Sequence, residues 1–162
     1  MPPVAAVLLS LALTASLFAA TPEYCAMGPD IFDPQGRAET LIAEALTAAQ
    51  PGDKKVLLLF GANWCPWCRR LHTVFAKDPA VQARLRASFV LVFIDANTRH
   101  DRQRNAAVIE RYGNPVQYGL PVFVVLDRDG RQLTTRETSS FAADTDAKVA
   151  ARLLAFLNEW AK

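Results

Sequence analysis

The sequence predicts an α/β domain in which a central mixed β-sheet is covered by helices on both faces. Two observations predict it: short, wholly apolar runs alternate with segments of helical period, and the last apolar run is followed by a hairpin signal instead of another helix. The size agrees, because 162 residues with 51% hydrophobic and 21% charged side chains suffice for one domain with a sizeable core.

The first twenty residues carry no charged side chain, and Val4 to Ala20 is almost wholly apolar, which reads as a signal peptide over residues 1–20. Phe18 interrupts the small-residue pattern near Ala19-Ala20, and no Lys or Arg follows Met1. The alternative is an uncleaved anchor, although the run is at the short limit of the roughly 17 to 25 residues that span a bilayer and is weakened by Ser10, Thr14 and Ser16. A periplasmic or secreted location is expected, with membrane attachment only if the segment is retained. Residues 21–36 contain Gly28, Pro29, Pro34 and Gly36 and are expected to be an irregular lead-in, with the folded domain following at 37–162.

Ala38, Leu41, Ile42, Ala45, Leu46 and Ala49 recur at helical spacing until Pro51-Gly52 stops them. Val56 to Phe60 is a strand buried on both faces. A helix opens at Pro66, with Cys68, Leu71, His72 and Phe75 at three- and four-residue steps, and Asp78-Pro79 opens another to about Ala87. Phe89 to Ile94 is a second buried strand, and Arg102 to Tyr112 is expected to be helical up to Gly113-Asn114-Pro115. Pro121 introduces the strand Val122 to Leu126, and Asp129-Gly130 signals a hairpin to Arg131–Thr135. A last helix runs from about Asp144 to Trp160. No repeat or second domain is visible.

Eighteen basic and sixteen acidic side chains are spread along the chain for a net charge of +2, so no basic field builds up and nucleic acid is not an expected partner. The arginines between Arg99 and Arg104 are expected to be a solvated helix face. Of the three cysteines, Cys65 and Cys68 are paired by spacing and Cys25 is left over as an inert thiol.

The pair stands in Trp64-Cys65-Pro66-Trp67-Cys68, where a buried strand passes into a helix. At that helix start, unpaired backbone N–H groups and the helix dipole favour a thiolate on Cys65, and Pro66 fits the first helical position because its missing donor is not needed. Arg69 and Arg70 add positive charge. Cysteines so placed have pKa values of roughly 3.5 to 7.5, which makes Cys65 the expected nucleophile. Cys68, one turn deeper, is the expected resolving thiol, since exchange runs by attack of a thiolate on a disulfide sulfur.

With these features the sequence resembles the thioredoxin superfamily, in particular exported members with a Trp-Cys-x-x-Cys motif, over roughly Ala38 to Lys162. The resemblance implies a thioredoxin-like fold and thiol-disulfide oxidoreductase activity without a cofactor or metal. It also implies protein thiols or disulfides and a separate redox protein as partners, for a chain expected to act as a monomer. Gly119-Leu120-Pro121 before Val122 matches the family's cis-proline segment, so Leu120 and Pro121, together with Trp64, Pro66 and Trp67, are the implied substrate contacts. The chain departs from the family at Leu59, where many members carry a buried aspartate that helps move the resolving cysteine's proton; a water or His72 is the candidate substitute.

Other chemistries fit less well. A c-type haem motif needs histidine where Arg69 stands, and a zinc site from Cys65, Cys68 and His72 lacks a second Cys-x-x-Cys and would need Cys25 or His100. The rival of a different class is a thioredoxin-like module that binds client chains and keeps its cysteines in a static disulfide. The direction of electron flow is not written in the sequence.

Overall fold

Side chains alternate across a strand, so consecutive apolar residues must be covered on both sides. The computed structural model, which describes residues 23–161, satisfies that requirement with four strands and five helices. In chain order they are α1 (Ala38–Ala49), β1 (Lys55–Gly61), α2 (Pro66–Lys77), α3 (Pro79–Ser88), β2 (Phe89–Asp95), α4 (Ala106–Arg111), β3 (Val122–Leu126), β4 (Gln132–Glu137) and α5 (Asp146–Trp160). The expected signal peptide at 1–20 lies outside the described residues. No helix among the described residues is long and apolar enough to cross a membrane.

The strand order is β2-β1-β3-β4. β1 is central, running parallel to β2 from Lys55 opposite Phe89 to Gly61 opposite Asp95, and antiparallel to β3 from Val56 opposite Leu126 to Phe60 opposite Val122. β3 and β4 form the antiparallel hairpin. Its turn is held by the Asp127 carboxylate, which accepts from the N–H groups of Asp129 and Arg131, each at 2.9 Å, and by Gly130 at φ +84°. Leu57, Leu59, Phe123 and Val125 face α2, α3 and α5, while Val56, Leu58, Phe60, Val122 and Val124 face α1 and α4. This is the mixed sheet with helices on both faces that the sequence predicts.

Local chemistry sets where the helices begin. Asp78 is extended, ends α2 and caps α3, its carboxylate accepting from the Val81 N–H at 2.9 Å while Pro79 takes the first position. Thr145 caps α5 in the same manner through Lys148 N–H.

Two stretches differ from expectation. Arg102 to Arg104 are not helical: α4 starts only at Ala106, because His100, Asp101 and Asn105 take left-handed conformations, with φ of 59°, 57° and 55°. Asn105 holds this bend with its side chain, which donates to Asp95 O at 2.9 Å and accepts from Ala38 N–H at 3.0 Å. The arginines of this stretch therefore lie mainly on a loop, and Arg104 pairs with buried Asp95 at 3.4 Å. The second difference is the lead-in. Among its described residues the regular structure is the 3-10 turn Cys25–Met27 alone, yet it belongs to the core: the Phe32 side chain is fully buried and meets Phe93 edge-to-face, with centroids 5.6 Å apart.

Asn63 staples this lead-in to the end of β1. Its Oδ1 accepts from the Ile31 and Phe32 N–H groups, both at 2.9 Å, and its Nδ2 donates to Phe32 O at 2.8 Å, so a fully buried amide satisfies three backbone groups of a segment with no ladder of its own. Gly61 completes the contact. A Cβ there would lie 2.3 Å from the Phe32 ring and 2.9 Å from the Cys68 sulfur, a clash that excludes any side chain without movement of one or the other. The domain thus begins before residue 37. Replacing Phe32 with alanine is expected to destabilise the protein by about 3–5 kcal/mol, the range for a buried phenylalanine; urea denaturation checks it, and a midpoint equal to that of the unaltered chain would show the lead-in to be peripheral.

Candidate functional site

β1 ends at Gly61, and after three intervening residues the chain turns into α2 with Cys65 as the N-cap, extended at φ −86° and ψ 111°. The Cys65 sulfur accepts a hydrogen bond from the Cys68 N–H at 3.2 Å, so it does the work that a serine or aspartate oxygen does at other helix starts. Pro66 occupies the first position and is exposed. Cys65 retains only 4% exposure, and Cys68 is fully buried against the lead-in and β1. Both are free thiols.

The two sulfurs are driven apart in acidity. The Cys65 pKa falls to about 7, first because the Cys68 side chain donates to its sulfur, and then, against the opposing effect of burial, because the Cys68 and Trp67 amides and the charge of Arg99 favour the anion. Cys68 moves the other way: burial raises it, and so does the neighbouring Cys65 sulfur. The leading influence on Cys65 is thus its partner thiol, ahead of the helix amides. The cation whose charge stands out in favouring the Cys65 anion is Arg99. Arg69 is bound to the carbonyls of Asn63 at 2.7 Å and Pro29 at 2.9 Å, and Arg70 to Asp146 at 2.7 Å and Ala143 O at 2.9 Å.

The segment before β3 closes the site. The Leu120–Pro121 peptide is cis, and Leu120 O lies 3.7 Å from the Cys65 sulfur, close enough to accept from its thiol. Pro121 is buried and Leu120 half-buried. Thr138, also buried, links this segment to the motif: its hydroxyl donates to Pro121 O at 2.6 Å and accepts from Trp67 Nε1 at 3.1 Å. Trp64, half-buried, donates from Nε1 to Asn97 Oδ1 at 2.9 Å and carries the Arg99 guanidinium 3.7 Å above its ring centre. The fold therefore gathers Trp64, Cys65, Pro66, Trp67, Cys68, Leu120 and Pro121 at one place, from two stretches more than fifty residues apart.

Sequence reasoning missed Asn63, Asn97 and Thr138, the buried polar residues that fix the two tryptophans and the lead-in. It also missed Asp95, whose carboxyl burial pushes up to about 6 while the Asn97 amide and Arg104 partly counter that rise. Polar residues within three positions of an apolar run, as Asp95 and Asn97 are after Ile94, were the available signal. Leu59 is fully buried beside the site, leaving no carboxylate at that position. His72 packs edge-on against Phe93 with centroids 5.7 Å apart, and burial followed by the Arg69 charge lowers its pKa. No hydrogen bond among the described residues joins it to Cys68. Among the described residues no group of three or more His, Cys, Asp or Glu side chains is placed to hold a metal ion.

Comparison with known proteins gives a consistent picture. A family model described as thioredoxin-like matches residues 37–128. Two curated relatives, both called thiol:disulfide interchange protein DsbD, come from Actinobacillus pleuropneumoniae and Haemophilus ducreyi. The first is 30% identical over 62% of this chain and 16% of its own length, the second 30% identical over 74% and 18%. The chain thus spans less than a fifth of the length of these relatives. Among solved structures, a disulphide isomerase from Xylella fastidiosa Temecula1 is similar at 30% identity and a TM-score of 0.68, over 82% of this chain and 97% of that one. A thioredoxin from Thermus thermophilus is similar at 26% identity and a TM-score of 0.51, over 72% and 81%.

The split in acidity has a direct chemical readout. With the reduced protein, the rate of alkylation by iodoacetamide is expected to rise with pH through a midpoint near 7 at Cys65, while Cys68 stays unmodified until the protein is unfolded. A midpoint near 8.5 at Cys65, or equal labelling of both sulfurs, would contradict the geometry.

Proposed function

The chain belongs to the thioredoxin-like family, and from that premise we propose that it is a thiol-disulfide oxidoreductase acting on protein substrates outside the cytoplasm through Cys65 and Cys68. The observation that carries the proposal is the pairing of a cysteine of lowered pKa that keeps a trace of exposure, at the N-cap of α2, with a fully buried cysteine of raised pKa in the first turn of that helix. The apolar, charge-free stretch Val4 to Ala20 supports the location.

In the reducing direction, the Cys65 thiolate attacks one sulfur of a client disulfide. A Cys65–client disulfide forms, and the other client sulfur leaves as a thiolate. Cys68 then gives up its proton to solvent and attacks the Cys65 sulfur, which forms the Cys65–Cys68 disulfide and releases the second client thiolate. Two electrons pass from the pair to the client; the same steps in reverse oxidise a client dithiol. The acidity order suits this sequence. Cys65 is substantially ionised near neutral pH and can attack first, whereas Cys68 stays protonated until the mixed disulfide removes the negative charge beside it.

The surrounding surface supports a client-chain site. Leu120 O beside the Cys65 sulfur and the cis Leu120–Pro121 peptide offer backbone to an extended chain, and Trp64, Pro66 and Trp67 offer apolar contact around the sulfur. Trp67 is steadied by Thr138 and Trp64 by Asn97, so these contacts are preformed.

Cys65→Ser is expected to abolish insulin reduction, and Cys68→Ser to accumulate a covalent client complex that dithiothreitol releases, visible on a non-reducing gel. Undiminished client binding by Cys65→Ser, with no turnover by the unaltered protein, would instead identify a binding module with a static disulfide.

A further inference from the structure

We propose that Arg99 selects clients: its guanidinium, laid over Trp64 beside Cys65, favours disulfides that carry a carboxylate next to the reacting cysteine. The proposal rests on the exchange reaction described above and names the class of client that the same site prefers.

Arg99 is exposed, its backbone is anchored and its side chain rests on Trp64. Its Cζ lies 3.7 Å from the centre of the Trp64 ring, and its backbone N–H and Trp64 Nε1 both donate to a single acceptor, Asn97 Oδ1, each at 2.9 Å. Asn97 is itself fully buried and held from the other side, its Nδ2 donating to Glu23 Oε1 at 3.0 Å. One buried amide therefore fixes the Arg99 backbone and the indole to each other, and the guanidinium lies over that indole in a contact suited to a weakly hydrated, planar cation.

The neighbouring arginines are already engaged. Arg69 is held by two backbone carbonyls, Arg70 by Asp146, Arg102 by Glu23 and Arg104 by Asp95. The Arg99 guanidinium, by contrast, bonds no carboxylate or carbonyl among the described residues. Contact with an aromatic ring leaves its N–H groups available, and a carboxylate is the group they bind best, often with two parallel hydrogen bonds.

Charge at the site gives the preference its sign. A client carboxylate next to its cysteine would be repelled by the Cys65 thiolate; Arg99, whose charge already favours that thiolate, offsets the repulsion and adds an attractive partner. A client lysine or arginine at the same place would meet a like charge.

The test uses the full chain, pre-reduced, against two disulfide-bonded peptides that differ only in Glu or Lys beside one cysteine, with second-order reduction rates measured at low salt. The ratio of the two rates cancels any change in the intrinsic nucleophilicity of Cys65. The unaltered protein is expected to prefer the Glu peptide by about twofold to fivefold, the size of an exposed ion pair. The preference should shrink at about 0.5 M salt, vanish in Arg99→Gln and reverse in Arg99→Glu. Equal rates for the two peptides, or a Glu preference unchanged in Arg99→Gln, would overturn the selection by Arg99 and leave the exchange reaction standing. Reduction of neither peptide by the unaltered protein would overturn both.

Discussion

The bond from the Cys68 amide to the Cys65 sulfur is the interaction on which the site depends. It makes a cysteine side chain the cap of α2, so the group that starts the helix is also the group that carries the negative charge. Every other requirement follows from placing that sulfur at the end of a rigid strand. β1 must be central and buried on both faces, Gly61 must lack a side chain so that the second sulfur can pack beneath, and the segment before β3 must come alongside with its Leu120 carbonyl turned to the first sulfur. Local capping chemistry and tertiary packing thus converge on the same two atoms.

Around that centre, precision comes from buried polar side chains whose hydrogen bonds are satisfied. Asn63 ties the lead-in to β1, Asn97 ties Trp64 to the loop after β2, and Thr138 ties Trp67 to Pro121. Each joins stretches far apart in the chain, and an unsatisfied partner at any of these places would carry the full desolvation penalty of a buried donor or acceptor. Such contacts add geometric specificity that apolar packing alone does not supply.

How legible each part was in the sequence follows from how local its cause is. The strands and the starts of α2 and α3 were readable because apolar runs, Cys65-Pro66 and Asp78-Pro79 act on their own neighbours. The mixed sheet covered on both faces followed from the alternation of strand and helix and the closing hairpin, and the site from the Cys65/Cys68 spacing. What was not legible depended on distant partners. Phe32 lies in a segment punctuated by glycine and proline, and its burial is decided by Asn63, thirty-one residues away. The stretch from Arg102 to Arg104 has helical composition, but Asn105 is held left-handed by bonds to Asp95 and Ala38. The contribution of Arg99 to the charge at Cys65 was not legible because that residue lies on the distant loop after β2 and reaches the site only by packing over the Trp64 ring.

The docking of Phe32 has a consequence for the integrity of the molecule. The match to the thioredoxin-like family model starts at residue 37, so a boundary drawn from it would pass between the aromatic ring and the wall it seals. Asp33 and Gln35, in the bend between that ring and α1, are exposed. A single proteolytic nick there would spare both cysteines and every strand, yet it would free the plug behind Cys68 and let water reach a thiol whose reluctance to ionise comes first from dryness.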